Sequence, residues 1–139
     1  MEITGDYIFS LEMKVRDYEC DIQGVVNNAN YQHYMEHARH EFLESLGVAF
    51  GKLHDEGTDL MVAKITIEYK RPLRCGDRFA VRINMQRKGV KMVIMQDIYN
   101  LADDKLSTRG VVETICLKNG RLTRGEIFDD LFKKVVNNG

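Results

Sequence analysis

The 139-residue chain carries no excess charge of either sign, no long apolar run, no internal repeat and a single proline. Lysine and arginine total 20 against 21 acids, a net charge of -1. No overall field therefore argues for a nucleic-acid partner, and no block of like charge marks a disordered tail. The three cysteines, Cys20, Cys75 and Cys116, are odd in number and lack the close pairing of a zinc ribbon or a redox motif. They read as reduced thiols of a cytoplasmic protein. Neither a basic-then-apolar opening nor an apolar stretch of roughly twenty residues is present, so neither secretion nor a membrane span is expected. Without linker or low-complexity segments, one domain over residues 1–139 is expected, large enough to bury about two-thirds of its unfolded surface.

Periodicity is what the sequence has in abundance. Residues 7–18 alternate with Phe9, Leu11, Met13 and Val15 on one side, the repeat of a strand with one buried face. From Tyr31 the period changes: Tyr31, Met35, Ala38, Phe42 and Leu46 fall on one helical face. Asn27 is a good N-cap, Val26 and Tyr31 suit a hydrophobic staple, and Gly47 suits the C-terminal cap, so a long helix should start near Asn28. A short helical turn is expected between 48 and 56, ending at Gly57. Strands follow at 60–73, 79–86, 92–101 and 106–120, with a Gly89 hairpin turn and turns at 75–77 and 101–105. In the last strand Val111, Glu113, Ile115 and Leu117 face one way. Ile127, Phe128, Leu131, Phe132 and Val135 then recur at helical spacing, which predicts a C-terminal helical segment over 124–136.

The order strand, long helix, then four strands predicts an α+β fold in which a five-stranded antiparallel sheet wraps the helix. A sheet this small leaves open edges, so a homodimer or a larger homo-oligomer is expected.

The most informative stretch is "DIQGVVNNANYQHYMEHAR", residues 21–39. A helix start presents unpaired amides and the positive end of the dipole, a ready place for an anion or a developing oxyanion. Gly24 lets the loop fold tightly or approach a ligand. Asp21, a carboxylate at neutral pH, is fit to act as nucleophile or to take a proton from water. Together these are the parts needed to hydrolyse an ester or thioester. The plainer reading has Asp21 making an Asx turn, Gly24 serving the turn and Asn27 capping, with no chemistry at all.

"RDYECDIQGVVNNANYQHYMEHARHEFLESLG" and the later "IEYKRPLRCGDRF" resemble the hot-dog fold thioesterases of the 4-hydroxybenzoyl-CoA thioesterase type. The resemblance implies an acyl-CoA thioesterase of hot-dog fold whose catalytic carboxylate is Asp21 and whose oxyanion donor is the backbone amide of Asn28. It implies further that Gly24 and Val25 shape the acyl entrance, and that Asn30 and Tyr31 match the Asn-Tyr pair at the helix start. Where many members carry histidine this chain has Asn28, and where they carry an aromatic it has Asp17. The family commonly forms dimers that pair into tetramers. Coenzyme A is part of the substrate, so no cofactor is expected. An acyl-acyl-carrier-protein thioesterase has a similar "VNN" run and keeps the carrier open; a silent acyl-binding module is a third reading. The hot-dog dehydratases fit less well, since their signature places a histidine before a proline-rich segment and the one proline here is Pro72.

Four further groups call for weighing. Coenzyme A carries three phosphates, so lysine or arginine is expected near the tunnel mouth. Arg87, Lys88 and Lys91 at the hairpin tip are the chosen candidates, with Lys70, Arg71 and Arg74 around Pro72 as the other cluster. Glu36 is read as an ion-pair partner more readily than as a residue at a neighbour's site. His33, His37 and His40 read as surface or interface histidines, because no H-E-x-x-H pattern and no completing acid accompany them; no metal is expected. Cys20, beside Asp21, reads as an inert thiol.

Overall fold

The structure, a computed structural model, describes residues 7–138. The elements run β1 (Phe9–Lys14), a short 3₁₀ turn (Asp17–Glu19), α1 (Asn28–Ser45), α2 (Phe50–Asp55), β2 (Thr58–Tyr69), β3 (Arg78–Lys88), β4 (Lys91–Asn100), β5 (Lys105–Lys118), β6 (Arg121–Leu122) and α3 (Glu126–Asn138). The five long strands form one antiparallel sheet in the order β1-β3-β4-β5-β2, and β6 pairs only with β5. The sheet curls around α1, the hot-dog arrangement expected from the strand and helix order.

Helix α1 is closed at both ends by the residues expected to do it. The Asn27 side chain accepts from Ala29 N–H at 3.0 Å. At the far end Gly47 takes φ +85°, its N–H bonds Glu44 O and the Val48 N–H bonds Leu43 O, the two bonds of a Schellman cap. The buried stripe is Tyr31, Tyr34, Met35, Ala38, Phe42 and Leu43, joined by Arg39. Against it pack Phe79, Val81, Ile83 and Met85 of β3, Met92, Ile94 and Ile98 of β4, and Val112 and Cys116 of β5. Each large side chain so buried contributes ~1.5–3 kcal/mol relative to leaving it in water.

Three departures from the sequence reading have local causes. β2 bulges between Val62 and Lys64. The extra residue switches the inward parity from Leu60 to Ile65 and Ile67 and leaves Ala63 exposed, a break that a single uniform strand over 60–73 does not include. In β5 the residues Val111, Glu113, Ile115 and Leu117 do share a face, but it is the half-exposed one; the core side is Gly110, Val112, Thr114 and Cys116. A Cβ at Gly110 would stand 2.6 Å from Met35 Sδ of α1, so a larger residue there would have to displace the methionine side chain. Finally the chain does not continue straight to 120: Asn119 (φ 50°) and Gly120 (φ 80°) make a tight hairpin turn that folds β6 back onto β5.

Buried polar groups under α1 are matched. Gln96, fully buried on β4, accepts from Arg39 Nη1 at 2.9 Å and donates to Met35 O at 2.8 Å. Burial holds the Arg39 guanidinium below its ordinary pKa. Asp97, on the opposite face of β4, is gripped by Arg109 Nε at 2.9 Å and by Tyr7 Oη at 2.7 Å.

Candidate active site

Residues 19–27 fold back on themselves ahead of α1. The Asp21 N–H donates to Val25 O at 2.9 Å, Cys20 bridges Val26, and Asn27 N–H donates to Glu19 O at 3.1 Å. Gly24 N–H closes the inner turn on Asp21 O at 3.0 Å. Gly24 has φ +78° and open space where a Cβ would stand, so the backbone conformation rather than packing demands glycine.

Within this loop the Asp21 carboxylate is split in its duties. Oδ1 accepts from Gln23 N–H at 2.8 Å and Val25 N–H at 3.3 Å, the Asx-type anchoring of the plainer reading. Among the described residues no hydrogen bond claims Oδ2, and the residue is exposed. Asn28 is the first residue of α1; the Asn27 side chain satisfies Ala29 N–H, Asn27 O takes Asn30 N–H, and no bond among the described residues claims the Asn28 N–H. An unspent carboxylate oxygen and an unspent helical amide thus stand on the same exposed loop, separated by three residues or on the order of 10 Å of chain beyond the Asp21–Val25 pair.

The loop rests on polar contacts that the sequence did not point to. Glu19 is 8% exposed, and its Oε1 accepts from Arg16 N–H at 2.8 Å and Tyr34 Oη at 2.9 Å. Its carbonyl receives Asn30 Nδ2 at 2.8 Å as well as Asn27 N–H. Burial, reinforced by Glu19, pushes the Tyr34 hydroxyl well above the ordinary phenol range. The only sequence signal for Glu19 was its position three residues after Arg16, a spacing that suits a capping box. Tyr31 is buried; its Oη accepts from Leu73 N–H at 2.9 Å and its ring meets Tyr69 edge-on at 5.4 Å. The contact ties the helix start to the 71–75 segment, which also pairs Arg74 with Val25 and sends Cys75 N–H to Gly24 O at 3.2 Å.

Asp21, Gly24, Val25, Asn28, Asn30 and Tyr31 are therefore brought together, and Arg74 with them. Arg87, Lys88 and Lys91 are not: they flank the β3–β4 turn, Arg87 and Lys88 ending β3 about 30 Å of strand from Arg78 and Lys91 opening β4. Two of the three are also engaged, Arg87 with Asp129 at 3.1 Å and Arg124 O at 2.7 Å, Lys91 with Glu113 at 2.7 Å. The histidines meet ordinary partners: His33 lies 3.4 Å from Asn30 Oδ1, His37 4.0 Å from Glu41, and the His40 ring 5.3 Å from that of Phe50. Glu36 is exposed. The Cys20 thiol is pushed up by burial and then by the neighbouring Cys75 thiol, the opposite of nucleophile activation.

An exposed carboxylate can attack or take a proton, and an unpaired helix-start amide can receive developing negative charge. Comparison with known proteins points the same way. The sequence pattern of the Thioesterase-like superfamily matches residues 15–135. A chloroplastic acyl-acyl carrier protein thioesterase of Arabidopsis thaliana is 49% identical over 72 residues, 52% of this chain and 38% of that protein. The chain spans about two-fifths of the length of that relative. A Bacillus subtilis (strain 168) protein provisionally named an acyl-CoA thioesterase is 32% identical over 112 residues, 80% of each chain. The crystal structure of a 1,4-dihydroxy-2-naphthoyl-CoA thioesterase from Synechocystis shares the fold with a TM-score of 0.81 at 17% identity, covering 94% of this chain and 96% of that one. No helix among the described residues is long and apolar enough to cross a membrane.

Proposed function

Because the chain belongs to the Thioesterase-like superfamily, we propose that it hydrolyses an acyl-CoA to free acid and coenzyme A at the Asp21 loop. The observation that carries this is the unclaimed Oδ2 of Asp21, on a loop that locks the other carboxylate oxygen and leads into the unclaimed first amide of α1. In one route Oδ2 attacks the thioester carbonyl carbon, the oxyanion is held by the Asn28 N–H, and collapse expels the thiolate and leaves an acid anhydride that water cleaves. In the other Asp21 takes the proton of a water that attacks directly, and the proton passes to the leaving thiolate. Single-turnover hydrolysis in heavy-oxygen water separates them, since label in the Asp21 carboxylate requires the anhydride.

Gly24 and Val25 form the rim of the acyl entrance, while Asn30 and Tyr31 hold the helix start in place through Glu19 and Leu73. Arg87, Lys88 and Lys91, around the β3–β4 turn, lie too far from the loop to serve their own Asp21; they contact the nucleotide of substrate bound to a second copy. Such pairing is supported by β2, an outer strand on which Met61, Val62 and Tyr69 are each about half exposed, and light scattering that finds only a monomer would remove it.

The strong match to a plant acyl-acyl carrier protein thioesterase favours a second reading with the same chemistry and a different carrier. Thiol release from short, long and aromatic acyl groups, each presented on coenzyme A and on carrier protein, decides between them. Faster turnover on coenzyme A supports the first reading, faster turnover on carrier protein the second. Binding without release from either carrier would leave a silent acyl-binding module and sink both.

A further inference from the structure

A cavity of about 350 Å³ lies beside the Asp21 loop, at the low end of the range for small-molecule sites. Its walls include Arg71, Arg74, Asn100, Asp103, Lys105 and Ser107. Three cations meet one acid there, in a chain whose net charge is -1. Asp103 lies 3.9 Å from Arg71 Nη1, whereas the side chains of Arg74 and Lys105 make no ion pair among the described residues.

The wall is fixed rather than loose. Ser107 O receives the N–H groups of both Lys70 and Arg71, at 2.8 and 2.9 Å, and Ser107 Oγ donates to Arg71 O at 2.6 Å. Arg74 N–H donates to Asp77 Oδ2 at 2.8 Å, and Asn100 Nδ2 reaches the same oxygen at 3.2 Å. The segment that presents both arginines is the one that bridges Val25 through Arg74. The bridge therefore sets this cationic wall at the edge of the Asp21 loop.

Guanidinium groups bind phosphate through paired N–H donors, and an ammonium group adds a point charge. We infer that Arg71, Arg74 and Lys105 form a site for a phosphate of the carrier that brings the thioester to Asp21. The identity of the ligand rests on the thioesterase reading; the anion site itself rests on the cluster. Coenzyme A and the phosphopantetheine arm of a carrier protein share that chemistry.

Calorimetric titration of the full chain with coenzyme A, dephospho-CoA, phosphopantetheine and pantetheine tests the site. Both arginines are exposed at the cavity, so an Arg71→Ala/Arg74→Ala variant should keep its melting temperature. It should lose about 10- to 100-fold in affinity for coenzyme A, the span of one or two charge-assisted bonds, with no change for pantetheine. Arg74→Lys should lose less than Arg74→Ala, because the charge stays. A loss that persists with phosphopantetheine assigns the phosphate common to both carriers, and a loss confined to coenzyme A assigns its ribose phosphate. Equal affinity of wild type and double variant for coenzyme A, an equal loss for pantetheine, or no binding of coenzyme A to the wild type overturns the site. Wild-type hydrolysis of an acyl-pantetheine tests the thioesterase reading separately, since that substrate carries no phosphate.

Discussion

The two ends of α1 leave their polar groups in opposite states. At the C-terminal end Gly47 and Val48 close the helix on Glu44 and Leu43, and the nearby hairpin tip has Arg87 and Lys91 taken up by Asp129 and Glu113. At the N-terminal end two groups are left over: Asp21 commits one carboxylate oxygen of two, and the cap satisfies Ala29 and Asn30 but not Asn28. The difference shows where chemistry is available. An oxygen or amide already bonded within the fold has less to offer a transition state, so the end with an unspent donor and acceptor is the end to test for the chemical step.

Removing the Asn28 amide would make the two helix ends alike. Asn27 has φ -65° and ψ 140°, the conformation that a residue before proline prefers, and the first helical position tolerates proline. Asn28→Pro should therefore keep the helix while deleting the donor, lowering kcat by ~10²–10³. Asn28→Ala keeps the amide, so the ratio of the two rates in a thiol-release assay isolates the N–H. Equal rates would show that the amide has no part.

Beneath the middle of the same helix the polar groups are fully spent, and removing one should cost stability. Gln96→Leu strands the buried Arg39 guanidinium and should lower unfolding free energy by about 3 kcal/mol in denaturant titration. A loss under half that size would show that Arg39 finds water instead. Asn27→Ala removes the cap and should cost about 1 kcal/mol by the same assay.

The smallest effect lies at α2. His54 Nδ1 is 2.7 Å from Asp59 Oδ1, and that bond raises its pKa. A raised folded value means the pair stabilises fully below the unfolded value of about 6.5 and fades as pH rises through the folded one. Between about pH 6 and 8 the wild-type melting temperature should fall slightly relative to that of His54→Gln. Parallel curves would remove the pair from the account.

Local patterns carried most of the fold. Alternation located the five long strands, the switch to helical spacing located α1, and Asn27 and Gly47 marked its ends because caps are read within a few residues. What escaped depended on distant neighbours or on small residues. The bulge at Ala63 is a property of pairing with β5, and the core side of β5 is built of Gly110, Thr114 and Cys116 beside a single valine, too weak an apolar signal to outweigh Val111, Ile115 and Leu117. The Asn119-Gly120 turn was local and legible, and was absorbed into an over-long strand. In the candidate site, the motif from Asp21 to Tyr31 was continuous and readable. Glu19 owes its importance to Tyr34 fifteen positions away, and the convergence of Lys105 on Arg71 and Arg74 to the β2–β5 pairing, neither of which any periodicity encodes.

Asp21→Asn is the most direct test of the central claim. Asparagine keeps an oxygen for Gln23 and Val25, so the loop should hold and the melting temperature should match wild type. Thiol release from a good acyl-CoA substrate should fall by several orders of magnitude in that folded variant. A variant that melts like wild type and hydrolyses the thioester at the wild-type rate would contradict the account.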